Sequence, residues 1–136
     1  MEIDFLIVAD AVEAVNGKLY MLGGGWNQVT LSQFPAPVRI GIALGLLVPL
    51  SDMSEKHQLQ VTIFDPNNRL VAQMQAEIGT RPPTRPAAVP SRFAIALNMG
   101  FQLPSAGVYR VLALIDSHIR RETSFEAILV VPSLGN

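Results

Sequence analysis

Apolar and polar positions alternate with a period of two along almost the whole chain, and no long window favours the 3.6-residue repeat of a helix. Phe93, Ile95, Leu97, Met99, Phe101 and Leu103 fall on one face of a run, with Ala94, Ala96, Asn98, Gly100 and Gln102 on the other. Leu59, Val61 and Ile63 alternate with Gln58, Gln60 and Thr62 in the same way, which predicts a half-buried strand. Ile3 to Val15, Lys18 to Leu22, Trp26 to Ser32, Leu70 to Ile78, Val108 to Asp116 and Ile119 to Val131 read as further strands. Val38–Val48 is apolar on both faces, as in a central strand or one buried under a partner.

Turn chemistry separates these runs. Asn16-Gly17 is a type I′ hairpin signal, because both residues tolerate positive φ. In Asp65-Pro66-Asn67-Asn68, proline presets φ and asparagine accepts the left-handed region. Gly23-Gly24-Gly25 breaks the chain at a bulge or a crossing between sheets. Ser105-Ala106-Gly107-Val108-Tyr109-Arg110-Val111 has the spacing of a tyrosine corner, with the ring inside and the hydroxyl bonded to backbone just upstream. The prediction is an all-β fold: a two-sheet antiparallel immunoglobulin-like sandwich of about eight or nine strands, without a disulfide, forming a single domain over residues 1–136.

Composition adds one expectation. Apolar residues make up 49% of the chain and charged residues 15%, where about 25% charged is usual. A chain of 136 residues has limited interior, so part of that surplus must reach the surface, where subunit contacts would hide it. We therefore expect a homo-oligomer whose interface draws on Val38–Val48 and on an exposed edge strand. A net charge of −1 offers no footprint for nucleic acid or an anionic membrane. The apolar run Ile40 to Leu50 is too short to span a bilayer as a helix. Acidic residues in Met1-Glu2-Ile3-Asp4 do not suit a signal peptide, so a cytoplasmic location is expected.

Candidate chemistry is sparse. A P-loop needs Lys-Ser/Thr after its last glycine, whereas Trp26-Asn27-Gln28 follows Gly25. Asp116-Ser117-His118 holds the three residue types of a catalytic triad, but consecutive residues in a turn cannot make that geometry. His57 is the other histidine, and two histidines without cysteine are a poor zinc inventory. Asp52, Glu55 and Asp65 could meet at one end of a sandwich, though without the ligand spacing of a calcium loop. Asp10 lies inside an apolar strand and would need a partner if buried. Arg110, Arg120 and Arg121 read as solvent-facing charges on the final hairpin. Arg81-Pro82-Pro83-Thr84-Arg85-Pro86 fits a polyproline stretch, or simply a stiffened loop. The expectation is no catalytic, cofactor-binding or metal-binding residue.

Asp4-Phe5-Leu6, Ala9-Asp10 and Asn16-Gly17-Lys18-Leu19-Tyr20-Met21-Leu22-Gly23-Gly24-Gly25-Trp26 carry a resemblance. They are similar to a family of small bacterial proteins, a domain of unknown function expected to form immunoglobulin-like sandwiches. The resemblance implies a bacterial cytoplasmic β-protein and brings no catalytic residues. The functional expectation is a non-enzymatic interaction or assembly module. The alternative is a small-ligand binding protein using the loops around 23–28 and 80–91.

Overall fold

Asn16 and Gly17 both adopt positive φ (51° and 73°), so the first hairpin closes as its sequence predicts. The computed structural model describes residues 1–53, 55–80 and 89–131. Within them lie nine strands: β1 (Glu2–Val15), β2 (Lys18–Gly24), β3 (Gln28–Leu31), β4 (Ala36–Val48), β5 (Lys56–Phe64), β6 (Leu70–Gly79), β7 (Ser91–Leu103), β8 (Gly107–Ile115) and β9 (Ile119–Leu129). A single 3-10 turn, Leu50–Asp52, links β4 towards β5. One sheet has the order β2-β1-β4-β7 and the other β3-β9-β8-β5-β6.

The first sheet is antiparallel throughout, but the second is not. β3 runs parallel to β9, with Gln28 opposite Glu126 and Leu31 opposite Leu129, so the sheet is mixed. The cause is the crossing at Gly23-Gly24-Gly25. Gly23 and Gly25 take φ of 57° and 84°, and the chain leaves the first sheet there to enter the second beside its last strand. This corrects the expectation of two antiparallel sheets.

The main core lies between the sheets. Leu6, Ile42, Leu44, Leu59, Val61, Val111 and Ile115 meet there, and at its centre Tyr109 stacks on Phe125 at 5.3 Å. Trp26 meets Phe125 edge-on at 5.7 Å, plugging the end where the chain crosses over. Tyr109 is fully buried, and its hydroxyl donates to the Ser105 carbonyl at 2.6 Å while accepting from the Ser105 N–H at 3.2 Å. That is the predicted corner.

A second, smaller core covers the outer face of the first sheet. Ala9, Val12 and Ala43 are buried there, with Phe5, Ile7, Leu19, Met21 and Ala96 around them. The distal half of β1 crosses so close over Gly41 that an added Cβ would meet Ala11 and Val12 at 3.0 Å. A Cβ at Gly45 would collide with the edge of the Phe5 ring. Asn98 on β7 fastens the arrangement: its amide donates to the Val12 carbonyl at 2.9 Å and accepts the Val12 N–H at 3.1 Å.

Most of Val38–Val48 is therefore covered by its own chain. Ile40 through Leu46 are all buried, under the main core on one face and the β1–β2 hairpin on the other. A second difference concerns β7. Its alternating residues face the core as predicted, but only Met99 and Leu103 are fully buried. Phe93, Ile95, Leu97 and Phe101 are half-buried, because β7 pairs with β4 alone among the described residues and stands at the sheet edge.

Candidate functional site

The parity of β5 that turns Leu59, Val61 and Ile63 inward also turns His57 inward, and it is 5% exposed. The β8–β9 turn reaches it from 59 residues away. Asp116 and Ser117 both take positive φ, 52° and 66°, and the His118 N–H donates to the Ile115 carbonyl at 3.2 Å, closing a tight hairpin. This aims the Asp116 carboxylate at the start of β5. One oxygen lies 2.7 Å from His57 Nδ1, and the other accepts the Gln58 N–H at 2.9 Å. His57 Nε2 lies 3.0 Å from the Asp52 carbonyl, which also accepts from the Thr80 hydroxyl at 3.4 Å. The Asp52 carboxylate pairs with the Met1 ammonium at 2.7 Å.

Both ring nitrogens of His57 face acceptors, which suits the doubly protonated imidazolium. The Asp116 carboxylate, and next the Asp52 carbonyl, raise the His57 pKa above 6.5 against the opposing effect of burial. The same bond, with the Gln58 N–H, holds the Asp116 carboxyl below 3.8. A catalytic histidine presents one nitrogen to a nucleophile or substrate while a carboxylate orients the other. Here the second nitrogen is committed to a backbone carbonyl, so the pair ties the 50–53 turn, β5 and the β8–β9 hairpin together. Sequence spacing alone did not bring His57 to Asp116; the available signal was the inward parity His57-Leu59-Val61-Ile63.

The other sequence candidates stay apart. Asp52 and Asp65 flank opposite ends of β5, and Asp65 instead accepts the N–H groups of Asn67 and Arg69 at 2.8 and 2.9 Å. No cluster of three acidic, histidine or cysteine residues that could hold a metal forms among the described residues. Asp10 is exposed, its carboxylate lying over Gly23, where an added Cβ would strike it. Arg110 bonds Glu122 and Asn68 at 3.1 Å and covers the Phe64 ring at 5.0 Å; Arg120 also pairs with Glu122. Of the two loops considered for ligand binding, 23–28 serves as the crossing plugged by Trp26, and residues 81–88, including Arg81–Pro86, lie outside the described residues. A cleft of about 190 Å³ opens elsewhere, between the Phe5 ring, Leu19 of the hairpin and Phe93, with the Asp4–Arg92 ion pair (3.2 Å) at its lining. No helix among the described residues is long and apolar enough to cross a membrane.

No curated protein sequence matches the chain. Two crystal structures of β-glucosidase from Listeria innocua, the second in complex with isofagomine, overlay with TM-scores of 0.46 and 0.45 at 13% and 11% identity. They cover 79% and 94% of this chain, which spans only 15% and 16% of theirs. So loose an overlay carries no argument about activity. The sequence itself is more telling: residues 4–128, the hairpin, both sheets and the His57–Asp116 pair included, match one family model, and the chain belongs to that family of unknown function, DUF6941.

Proposed function

We propose that this chain is a non-enzymatic, immunoglobulin-like module that assembles with copies of itself, in the bacterial cytoplasmic setting implied by its resemblance. The immunoglobulin-like reading is supported by connectivity. β1, β4 and β7 share one layer while β9, β8, β5 and β6 share the other, the distribution of the A-B-E and G-F-C-C′ strands, and the tyrosine corner stands at the entry to β8. In place of a disulfide, the Tyr109 and Phe125 rings stack at the centre, with Trp26 edge-on to Phe125. The non-enzymatic reading is supported by a buried histidine whose two ring nitrogens are already engaged.

The observation that carries assembly is where the apolar surplus lies. Tyr20 and Leu22 on the β2 edge are 55% and 72% exposed, and Leu129, Val130 and Val131 are exposed at the end of β9. Sedimentation equilibrium at micromolar concentration tests it. The expected mass is a multiple of 14.8 kDa, and a monomer overturns the proposal. A second reading, small-ligand binding, draws on the apolar cleft beside Phe5 and Arg92 rather than on residues 23–28.

A further inference from the structure

The buried ring of His57 stands between two acceptors from distant parts of the chain. Nδ1 is 2.7 Å from an Asp116 carboxylate oxygen on the β8–β9 hairpin, and Nε2 is 3.0 Å from the Asp52 carbonyl oxygen in the 50–53 turn. Only the imidazolium can donate to both. A neutral imidazole has a single N–H, and its other nitrogen is itself an acceptor. Losing one proton therefore sets lone pair against lone pair at one of the two contacts. The surviving proton stays with the stronger partner. The carboxylate is the charged acceptor and the nearer one, so the neutral ring keeps Nδ1–H on Asp116 and turns a bare Nε2 towards the Asp52 carbonyl.

We infer that His57 is a one-sided latch: its protonated ring fastens the 50–53 turn to the β8–β9 hairpin, and loss of the proton loosens the turn while the hairpin stays attached. The two sides differ in what remains to them. The hairpin keeps the Gln58 N–H on Asp116 at 2.9 Å, the Asp116 N–H on the Gln58 carbonyl at 2.9 Å and the His118 N–H on the Ile115 carbonyl at 3.2 Å. The Asp52 carbonyl keeps, among the described residues, the long Thr80 hydroxyl contact at 3.4 Å. Below the turn, Met53 is part of the main core, so loosening acts on the end of the sandwich where β4 passes to β5. The charged groups around the ring are accounted for on each described element. The Asp52 carboxylate is paired with the Met1 ammonium of the chain entering β1, and His118 Nδ1 is 2.7 Å from the Asp116 carbonyl on the hairpin. Lys56 on β5 and Glu77 on β6 pair with each other on the exposed side at 3.3 Å. The Asp116 carboxylate, and next the Asp52 carbonyl, hold the His57 pKa above 6.5, so the turn loosens on the alkaline side of that value. The latch does not depend on the assembly reading.

Two measurements on the unmodified chain and one variant test it. Imidazole 15N shifts followed through the His57 titration should show the neutral ring protonated at Nδ1. Across the same transition, protection of the Asp52 and Met53 amides, corrected for intrinsic exchange, should fall on the order of tenfold, while that of the Gln58 and His118 amides holds. Asp116→Asn reverses the proton's preference without changing the side chain's shape. Its amide oxygen still accepts the Gln58 N–H, and its N–H donates to a bare Nδ1, which leaves the ring proton on Nε2 and the Asp52 carbonyl. The turn should then stay protected when His57 is neutral, whereas a merely structural loss would loosen both sides. A neutral wild-type ring protonated at Nε2, or turn and hairpin amides losing protection together, overturns the latch whether or not the variant folds. Turn protection falling with pH in Asp116→Asn as it does in wild type assigns the release to the Met1–Asp52 pair and also overturns it.

Discussion

β4 and β7 are neighbours in one sheet, each 13 residues long and both rich in apolar side chains, yet they occupy opposite environments. β4 is flanked by β1 and β7, backed by the main core and roofed by the β1–β2 hairpin, so Ile42, Ala43, Leu44 and Leu46 are fully buried. β7 has β4 on one side and no hydrogen-bonded strand among the described residues on the other, although β6 of the second sheet comes close to it. Its pattern is the cleaner of the two, but its burial is the poorer. Alternation specifies which face of a strand turns inward. It does not specify whether the strand is interior or peripheral, and that second variable sets how much each side chain contributes.

The largest expected effect breaks the comparison directly. Leu44→Ala empties a site with no exposure and should cost about 2–5 kcal/mol, through lost transfer free energy and the remaining cavity. Leu97→Ala removes the same atoms from a half-buried site and should cost roughly half as much or less in a dilute sample. Urea denaturation of both variants measures the difference. Equal costs at low concentration would mean that the edge position of β7 has no energetic consequence.

The same comparison explains what was legible in the sequence. The nine strands, the Asn16-Gly17 turn, the glycine crossing and the tyrosine corner all follow from local rules, because each depends on residues within a few positions of one another. The cover over β4 does not. A strand apolar on both faces is equally suited to a partner chain and to a hairpin folded back by its own chain. Small residues of one parity, Gly41, Ala43 and Gly45, were the trace of the second solution, since only they admit Val12 and Phe5 at such close range. The parallel pairing of β3 with β9 and the meeting of His57 with Asp116 are beyond local rules. Each depends on strand order across most of the chain.

Two glycines sharpen the contrast at intermediate scale. Gly45 on β4 lies beneath the Phe5 ring, so Gly45→Ala forces that ring off its floor and should destabilise by about 1–3 kcal/mol. Gly100 on β7 has only the Val38 carbonyl near its Cβ position, at 4.0 Å. Gly100→Ala should therefore be neutral or stabilising by up to about 1 kcal/mol, because alanine loses less backbone entropy in a strand. Thermal denaturation should show a lowered midpoint for Gly45→Ala and an unchanged or raised one for Gly100→Ala. Destabilisation of both alike would mean that the outer face of β7 is as tightly covered as that of β4.

The smallest effect is one that should not distinguish the two strands at all. His57 and Asp116 clamp the 50–53 turn, β5 and the β8–β9 hairpin together, and their protonation acts on global stability. His57 has its pKa raised above 6.5 in the fold, so its contribution is complete below about pH 6.5 and is lost as pH rises through the raised value. Asp116 has its pKa lowered below 3.8, so its contribution is complete above about pH 3.8 and is lost as pH falls through the lowered value. Between those limits both are present, and the melting temperature should be flat as far as this pair determines it. Above pH 6.5 it should decline, modestly, because the Asp116 side chain is 32% exposed and water screens the pair. His57→Gln should abolish the alkaline decline while leaving the ratio of the Leu44→Ala and Leu97→Ala costs unchanged. Melting curves recorded from pH 4 to 9 decide it: wild type and His57→Gln running parallel throughout would mean that the histidine gains nothing from its two acceptors.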